Sequence, residues 1–245
     1  MRQPSSLTHR PEPTASCRRS LPRRRRRGSA STSASSCPRD ESGHPGSKHR
    51  PRDAKLLAWA RAAARRRRTA LPVLWLFTDD RRLPDPRPAA SGLPKGLAGV
   101  VFRHDGAPNR IALARDLARI CRDRRLALVV AGDVRLAAAI GAGVHLRGGC
   151  WPGVIRLRRG WITSSVHNPA DMRRATRAGA DLAFFSPVFP TASHPGARAL
   201  GPARWAHAAR AVPISVGALG GIDGGSVRRL PPRLVAAVAA IGALA

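Results

Sequence analysis

Gly179-Ala-Asp-Leu-Ala-Phe-Phe-Ser-Pro-Val-Phe-Pro-Thr-Ala-Ser-His-Pro-Gly196 runs an apolar segment straight into a loop of hydroxyls, a histidine and a glycine. A buried parallel strand ending in small polar residues is how α/β folds present a ligand site, so the flanking sequence decides the architecture. Upstream, Val73–Thr78, Gly99–His104, Leu126–Ala131, Gly143–Leu146 and Trp161–Val166 are short apolar runs bounded by turn residues; downstream, Pro213–Gly217 and Leu234–Ala240 repeat the pattern. With Asp181–Phe185 they make eight predicted strands. The connectors are helical. Ala107–Arg125 places Ile111, Ala114, Leu117, Ala118 and Cys121 on one face and Arg115, Arg119 and Arg122 on another. Asp133 caps a helix to Ala142, Asn168-Pro169 opens one to Ala178 that Gly179 closes, and Pro202–Ala211 is a further helix. Eight such strands predict an α/β fold of the TIM (β/α)8 barrel class. A doubly wound sheet would carry a glycine-rich turn after its first strand, whereas here that strand ends Thr78-Asp79-Asp80. Two connectors are thin. Residues 147–160 hold Gly148, Gly149, Pro152 and Gly153, and only Ile241–Ala245 follow the last strand. The closing helix is therefore expected to be stunted or absent, and a partner copy in a homo-oligomer is one way to complete the barrel.

The barrel is expected over residues 70–245, preceded by a disordered basic N-terminal segment, 1–54, and a basic helical lead-in, 55–69. Residues 1–54 are rich in Arg, Ser, Pro and His, include the run Arg23–Arg27, and lack the apolar content that offsets ordering entropy. The net charge of +30 is divided evenly: residues 1–69 hold 19 Lys+Arg against 4 Asp+Glu, and the remainder 25 against 10. A nucleic-acid-binding arm is the remoter alternative, because no aromatic precedes Trp59 to stack a base. Since Met1 and Met172 are the only methionines, the segment also reads as an upstream extension, with the start expected near Leu56 or Leu71. No apolar run is long enough to span a membrane. Cys17, Cys37, Cys121 and Cys150 have no C-x-x-C spacing, which fits a reducing cytoplasm.

In a barrel the ligand site lies at the C-terminal ends of the strands. That criterion selects Thr78–Asp80, Arg103 and His104, Gly132-Asp133, His145 and Arg147, Ser165 and His167, Ser186–His194 and Gly217–Gly221. Hydroxyls, imidazoles, guanidinium groups and glycines suit a phosphorylated small molecule, because backbone N–H groups near glycines accept phosphate oxygens. Each residue also has a plainer reading: His145 as a barrel-interior group, Asp133 as a helix N-cap, His167 as part of the turn before Asn168, and Arg103 as the partner of Asp105.

Gly-Val-His-Leu at 143–146, Ser-Val-His at 165–167, the Gly-Ala-Asp to Pro-Val-Phe-Pro-Thr-x-Ser segment at 179–193 and Leu-Gly-Gly-Ile at 219–222 resemble the thiamine phosphate synthase and TenI family, in order and spacing. The resemblance covers about residues 71–241. It implies thiamine biosynthesis: synthases of this family join a hydroxymethylpyrimidine pyrophosphate to a thiazole phosphate with Mg²⁺, and a tautomerase branch isomerises the thiazole phosphate. Matched residue by residue, it implies that Thr191, Ser193, Gly220 and Gly221 bind substrate phosphate and that Arg103 faces pyrophosphate. It likewise implies that Asp133 is a Mg²⁺ ligand and that His167 is a candidate acid/base. A tautomerase or a catalytically weakened phosphate binder is the alternative. The departures concentrate on one half of the site. The family's Gln, Arg and Lys around the second strand appear as Val101, Arg103 and Asp105, and the acid expected after Val-His-Leu is replaced by Arg147-Gly148-Gly149. A lysine becomes His194, and a last-strand serine becomes Ala239.

Overall fold

The computed structural model of the chain describes residues 53–67, 70–153, 160–191, 196 and 198–245. Residues 1–52 of the expected tail, the lead-in's Arg68 and Thr69, Ser193 and His194 lie outside these residues, whereas Asp53 and Ala54, expected in the disordered tail, cap and open a helix. Eight parallel strands close into a barrel in sequence order: β1 (Leu74–Phe77), β2 (Ala98–Phe102), β3 (Ala127–Ala131), β4 (Gly143–Arg147), β5 (Ile162–Val166), β6 (Leu182–Phe185), β7 (Ser215–Leu219) and β8 (Ala237–Ala240). The seam forms within the one chain, as Leu74, Trp75 and Leu76 of β1 pair with Val238, Ala239 and Ala240 of β8.

Alternation along the strands divides the core in two. Leu74 and Leu76 face the helices, while Trp75 and Phe77 point inward to Val101, Val129, Phe184, Ala237 and Ala239. Large rings fit inside because small residues oppose them. A Cβ on Gly99 would lie 2.6 Å from the Trp75 ring, and one on Gly217 would lie 2.8 Å from Phe184. The outer helices are α2 (Arg87–Ser91), α3 (Arg110–Asp123), α4 (Val134–Ile140), α5 (Pro169–Arg177) and α6 (Gly201–Arg210). The expected caps form: Asp133 Oδ1 accepts the Leu136 N–H at 2.9 Å and Asn168 Oδ1 accepts the Asp171 N–H at 2.9 Å. The short α2 was not expected. After β7 there is a 3-10 turn, Ser226–Arg229, and after β8 only a turn in which Leu244 N–H donates to Ile241 O.

The thin C-terminus is covered by the chain's own α1 (Ala54–Arg66), the helix expected there as a basic lead-in. Its buried Leu56 and Ala60 join the cluster containing Val227, Leu230 and Leu244. At one end the Asp53 N–H donates to Ala243 O at 3.1 Å; at the other, Arg67 Nη2 donates to Pro232 O at 3.3 Å. Ala243 follows β8 and Pro232 precedes it, so α1 runs antiparallel to β8, as a helix following that strand would.

Candidate active site

A cavity of about 550 Å³ opens at the C-terminal ends of the strands, bordered by Phe77, Asp79, Arg82, Arg103, His167, Ser186, Pro187, Thr191, Leu219, Gly220 and Ile241. It adjoins a second of about 300 Å³ that shares Arg82, Thr191, Leu219, Gly220 and Ile241 and adds Gly221. Arg103, His167, Thr191, Gly220 and Gly221 are thus brought together, Asp133 stands apart, and Ser193 lies outside the described residues.

The β6 and β7 loops form one side by close backbone packing. Val188 N–H donates to Leu219 O at 2.9 Å and Phe189 N–H to Gly220 O at 3.0 Å. This approach demands glycine. Gly220 has φ +93°, and a Cβ there would lie 2.8 Å from Pro187; Gly221 has φ +63°, and its Cβ would lie 2.5 Å from Pro190 O. Among the described residues the Gly220 and Gly221 N–H groups donate no hydrogen bond, the condition of an anion cradle. The turn is tied down from behind: Ser226 Oγ donates to Gly221 O at 2.8 Å, and Asp53 Oδ2 accepts the Gly224 N–H at 2.5 Å.

Arg103 is held from below and beside. Its guanidinium lies 5.3 Å from the Phe77 ring centroid; Nε donates to Thr78 O at 3.0 Å and Nη2 to Asp79 Oδ2 at 3.4 Å. Burial lowers its pKa from the ordinary arginine value. Its backbone joins a directed relay. The Arg103 N–H donates to Thr78 Oγ1 at 3.0 Å, which leaves the Thr78 hydroxyl hydrogen for His104 Nδ1 at 2.9 Å. His104 Nε2–H can then donate to Leu83 O at 3.0 Å.

His145 proves to be the interior group its plainer reading describes. Thr163 Oγ1 lies 2.8 Å from Nδ1, Ser165 Oγ lies 2.7 Å from Nε2, and Phe77 meets the ring edge to face. Burial, then the nearby Arg103 and Arg147 charges, lower its pKa to about 3, so the ring is neutral. His167 is exposed at the cavity wall. Its Nδ1 lies 3.1 Å from Ser186 O and 3.2 Å from Ser186 Oγ, which anchors the ring through Nδ1 and leaves Nε2 unengaged among the described residues. Buried Asp171 fixes the turn by accepting the His167 N–H at 2.9 Å. Asp171 also pairs with Arg174, whose Nε donates to Gly148 O at 2.8 Å. Sequence reasoning missed Asp171 and Arg82; the loop after the first strand was flagged only as far as Asp80.

Three comparisons bear on identity. The family model described as thiamine monophosphate synthase matches residues 78–244. The chain belongs to that family. Among its curated relatives, a thiamine-phosphate synthase of Geobacillus thermodenitrificans is 34% identical over 65% of this chain and 79% of its own length. The thiamine-phosphate synthase of Salinibacter ruber is 35% identical over 54% of this chain and 62% of its own. Of solved structures, thiamine phosphate pyrophosphorylase from Pyrococcus furiosus superposes with a TM-score of 0.56 at 26% identity, covering 69% of this chain and 85% of that one.

Thiamine monophosphate synthases use Mg²⁺, which seeks near-octahedral oxygen ligation. Asp133, Asp79 and Asp105 do not fit it. Asp133 Oδ1 is the α4 cap and Oδ2 accepts Arg110 Nη1 at 2.6 Å. Burial raises the Asp133 pKa, but the Leu136 N–H and Arg110 outweigh it, and the net shift is downward. Asp79 Oδ1 accepts the Arg81 and Arg82 N–H groups at 3.2 and 3.1 Å, with Oδ2 on Arg103. Asp105 Oδ1 faces Arg110 at 3.7 Å and Oδ2 accepts from Arg147. No group of three or more His, Cys, Asp or Glu is arranged to hold a metal ion among the described residues.

Proposed function

We propose that this chain condenses a hydroxymethylpyrimidine pyrophosphate with a thiazole phosphate to give thiamine phosphate and pyrophosphate. The observation carrying this reading is the pairing, around one cavity, of a glycine cradle with unbonded N–H groups and a fixed guanidinium at Arg103. Gly220, Gly221 and Thr191 take the thiazole phosphate, and Ser193 belongs to the same loop. A bond forms between the thiazole nitrogen and the pyrimidine methylene carbon as the carbon–oxygen bond to pyrophosphate breaks, with its electron pair departing on the pyrophosphate oxygen. Arg103 meets that developing charge. Positioning and preorganised charge supply the catalysis. A Mg²⁺ role for Asp133 has no support from its occupied oxygens. Among the described residues Cys121 and Cys150 are free thiols, which accords with a cytoplasmic setting.

His167 favours a second reading, thiazole tautomerisation, since its Nε2 suits proton transfer beside the cradle. Purified full chain supplied with both phosphorylated precursors distinguishes the two. Thiamine phosphate is the expected product. If none forms while the thiazole phosphate still binds, the synthase reading fails and the tautomerase or weakened-binder reading takes its place.

A further inference from the structure

Two departures from the family pattern, far apart in sequence, touch one another. Asp105 stands where the resemblance implies a lysine, and Arg147 stands in the segment where it implies an acid; the two form an ion pair across the mouth from the β2 loop to the end of β4. The polarity of the family's arrangement is therefore reversed, with both signs kept. Gly132, at φ +67°, leaves room for the displaced cation: a Cβ there would lie 3.2 Å from Arg147 Nε. The Arg147 guanidinium thus rests over the Gly132–Asp133 turn, where the resemblance implies a metal.

The neighbourhood is built around the same exchange. Arg110, with its side chain only 19% exposed, reaches both Asp133 and Asp105, and its buried Nε has no hydrogen-bond partner. Arg103 and Arg147 are close enough for each charge to act on the other. The carboxylates of Asp79, Asp105 and Asp133 are used in holding these three guanidinium groups and offer no vacant oxygen pair to a divalent cation. Arg103 lines the cavity, Arg110 and Arg147 stand behind it, and each is paired with an aspartate, so a divalent cation would have to displace a guanidinium to gain a carboxylate.

Resting on the synthase reading of the site, we propose that this chain meets the pyrophosphate group with Arg103 at the cavity and Arg147 over the Gly132–Asp133 turn, without a protein-bound divalent metal. Arg147 stands in for the cation.

Calorimetric titration of the purified full chain with inorganic pyrophosphate tests this, once in EDTA and once in excess Mg²⁺. Binding in EDTA is expected, with an affinity within about threefold of the Mg²⁺ value, and Arg147→Ala is expected to weaken it by about tenfold or more. The double variant Asp105→Lys/Arg147→Asp restores the family polarity. In it, binding in EDTA is expected to fall by about tenfold and to return with Mg²⁺, with unchanged melting confirming the fold. Wild-type binding that appears only with Mg²⁺, or under neither condition, overturns the proposal, as does Arg147→Ala binding as tightly as wild type. Turnover of both precursors is scored separately: pyrophosphate binding in EDTA without thiamine phosphate formation sinks the synthase reading and leaves the metal-free anion site standing.

Discussion

The two sides of the mouth are made by different physics. The β6–β7 side is shaped by backbone: two glycines in left-handed conformations, a loop zipped to its neighbour, and N–H groups left for an anion. The β2–β4 side is shaped by charge, with three arginines and three aspartates interlocked across loops. A backbone cradle tolerates little change in its own residues. An ion-pair lattice can exchange signs and keep its balance, and here three of the five departures from the family, Val101, Asp105 and Arg147, fall on that side.

Removing Arg103 is the most severe way to break the charged side. Arg103→Ala is expected to lower kcat/KM by about a thousandfold, roughly 4 kcal/mol of transition-state stabilisation, with less effect on thiazole phosphate affinity; steady-state kinetics with each precursor varied in turn checks this.

Beneath both sides, His145 couples the site to acid. Its ring is neutral in the fold and takes a proton when unfolded, so the unfolded chain binds more protons below about pH 6.5. Stability is expected to fall from there toward the folded pKa of about 3, by about 3 kcal/mol at pH 4 from the linkage relation. Denaturant midpoints from pH 7 to 4 for wild type and His145→Gln measure it, and an unchanged slope in the variant would overturn the assignment to His145.

Gly221→Ala strikes the cradle. Its Cβ has no room beside Pro190 O, and thiazole phosphate binding is expected to weaken by about a hundredfold while pyrophosphate binding changes by less than about threefold. Equal losses for both ligands in calorimetry would abolish the distinction between the sides.

The smallest effect belongs to Asp133→Asn, which keeps a helix cap and loses the Arg110 pairing. About a third of the Asp133 side chain is exposed, so solvent screens the pair and the expected cost is about 0.5–1 kcal/mol at neutral pH. The folded carboxyl pKa is depressed, so this contribution is present above the ordinary aspartate range and disappears as pH falls through the folded value. Thermal melts of both proteins should converge in acid.

The barrel was legible because most strands are buried on both faces and read as continuous apolar runs, with Asp133 and Asn168 marking helix starts; β5, Ile-Thr-Ser-Ser-Val, is the polar exception. The five-residue α2 carries no periodicity, so it did not show. The cradle was legible too, since Gly220-Gly221 directly follows a predicted strand. Asp105 and Arg147 appeared only as losses, because a pairing across 42 residues between two loops is a tertiary fact. Arg82 follows a run of polar loop residues, and only the cavity distinguishes it from Arg81 beside it.

The helix that seals β8 is built before β1. In a nascent chain, Leu56 and Ala60 must wait exposed until the final strand emerges, since Asp53 meets Gly224 only across 171 residues. Such distant closure is slow and leaves the seam as the last part to form. Moving α1 behind the last strand would shorten that wait, and fraying of α1 in the present chain would release the Gly224 end of the Gly220–Gly224 turn first.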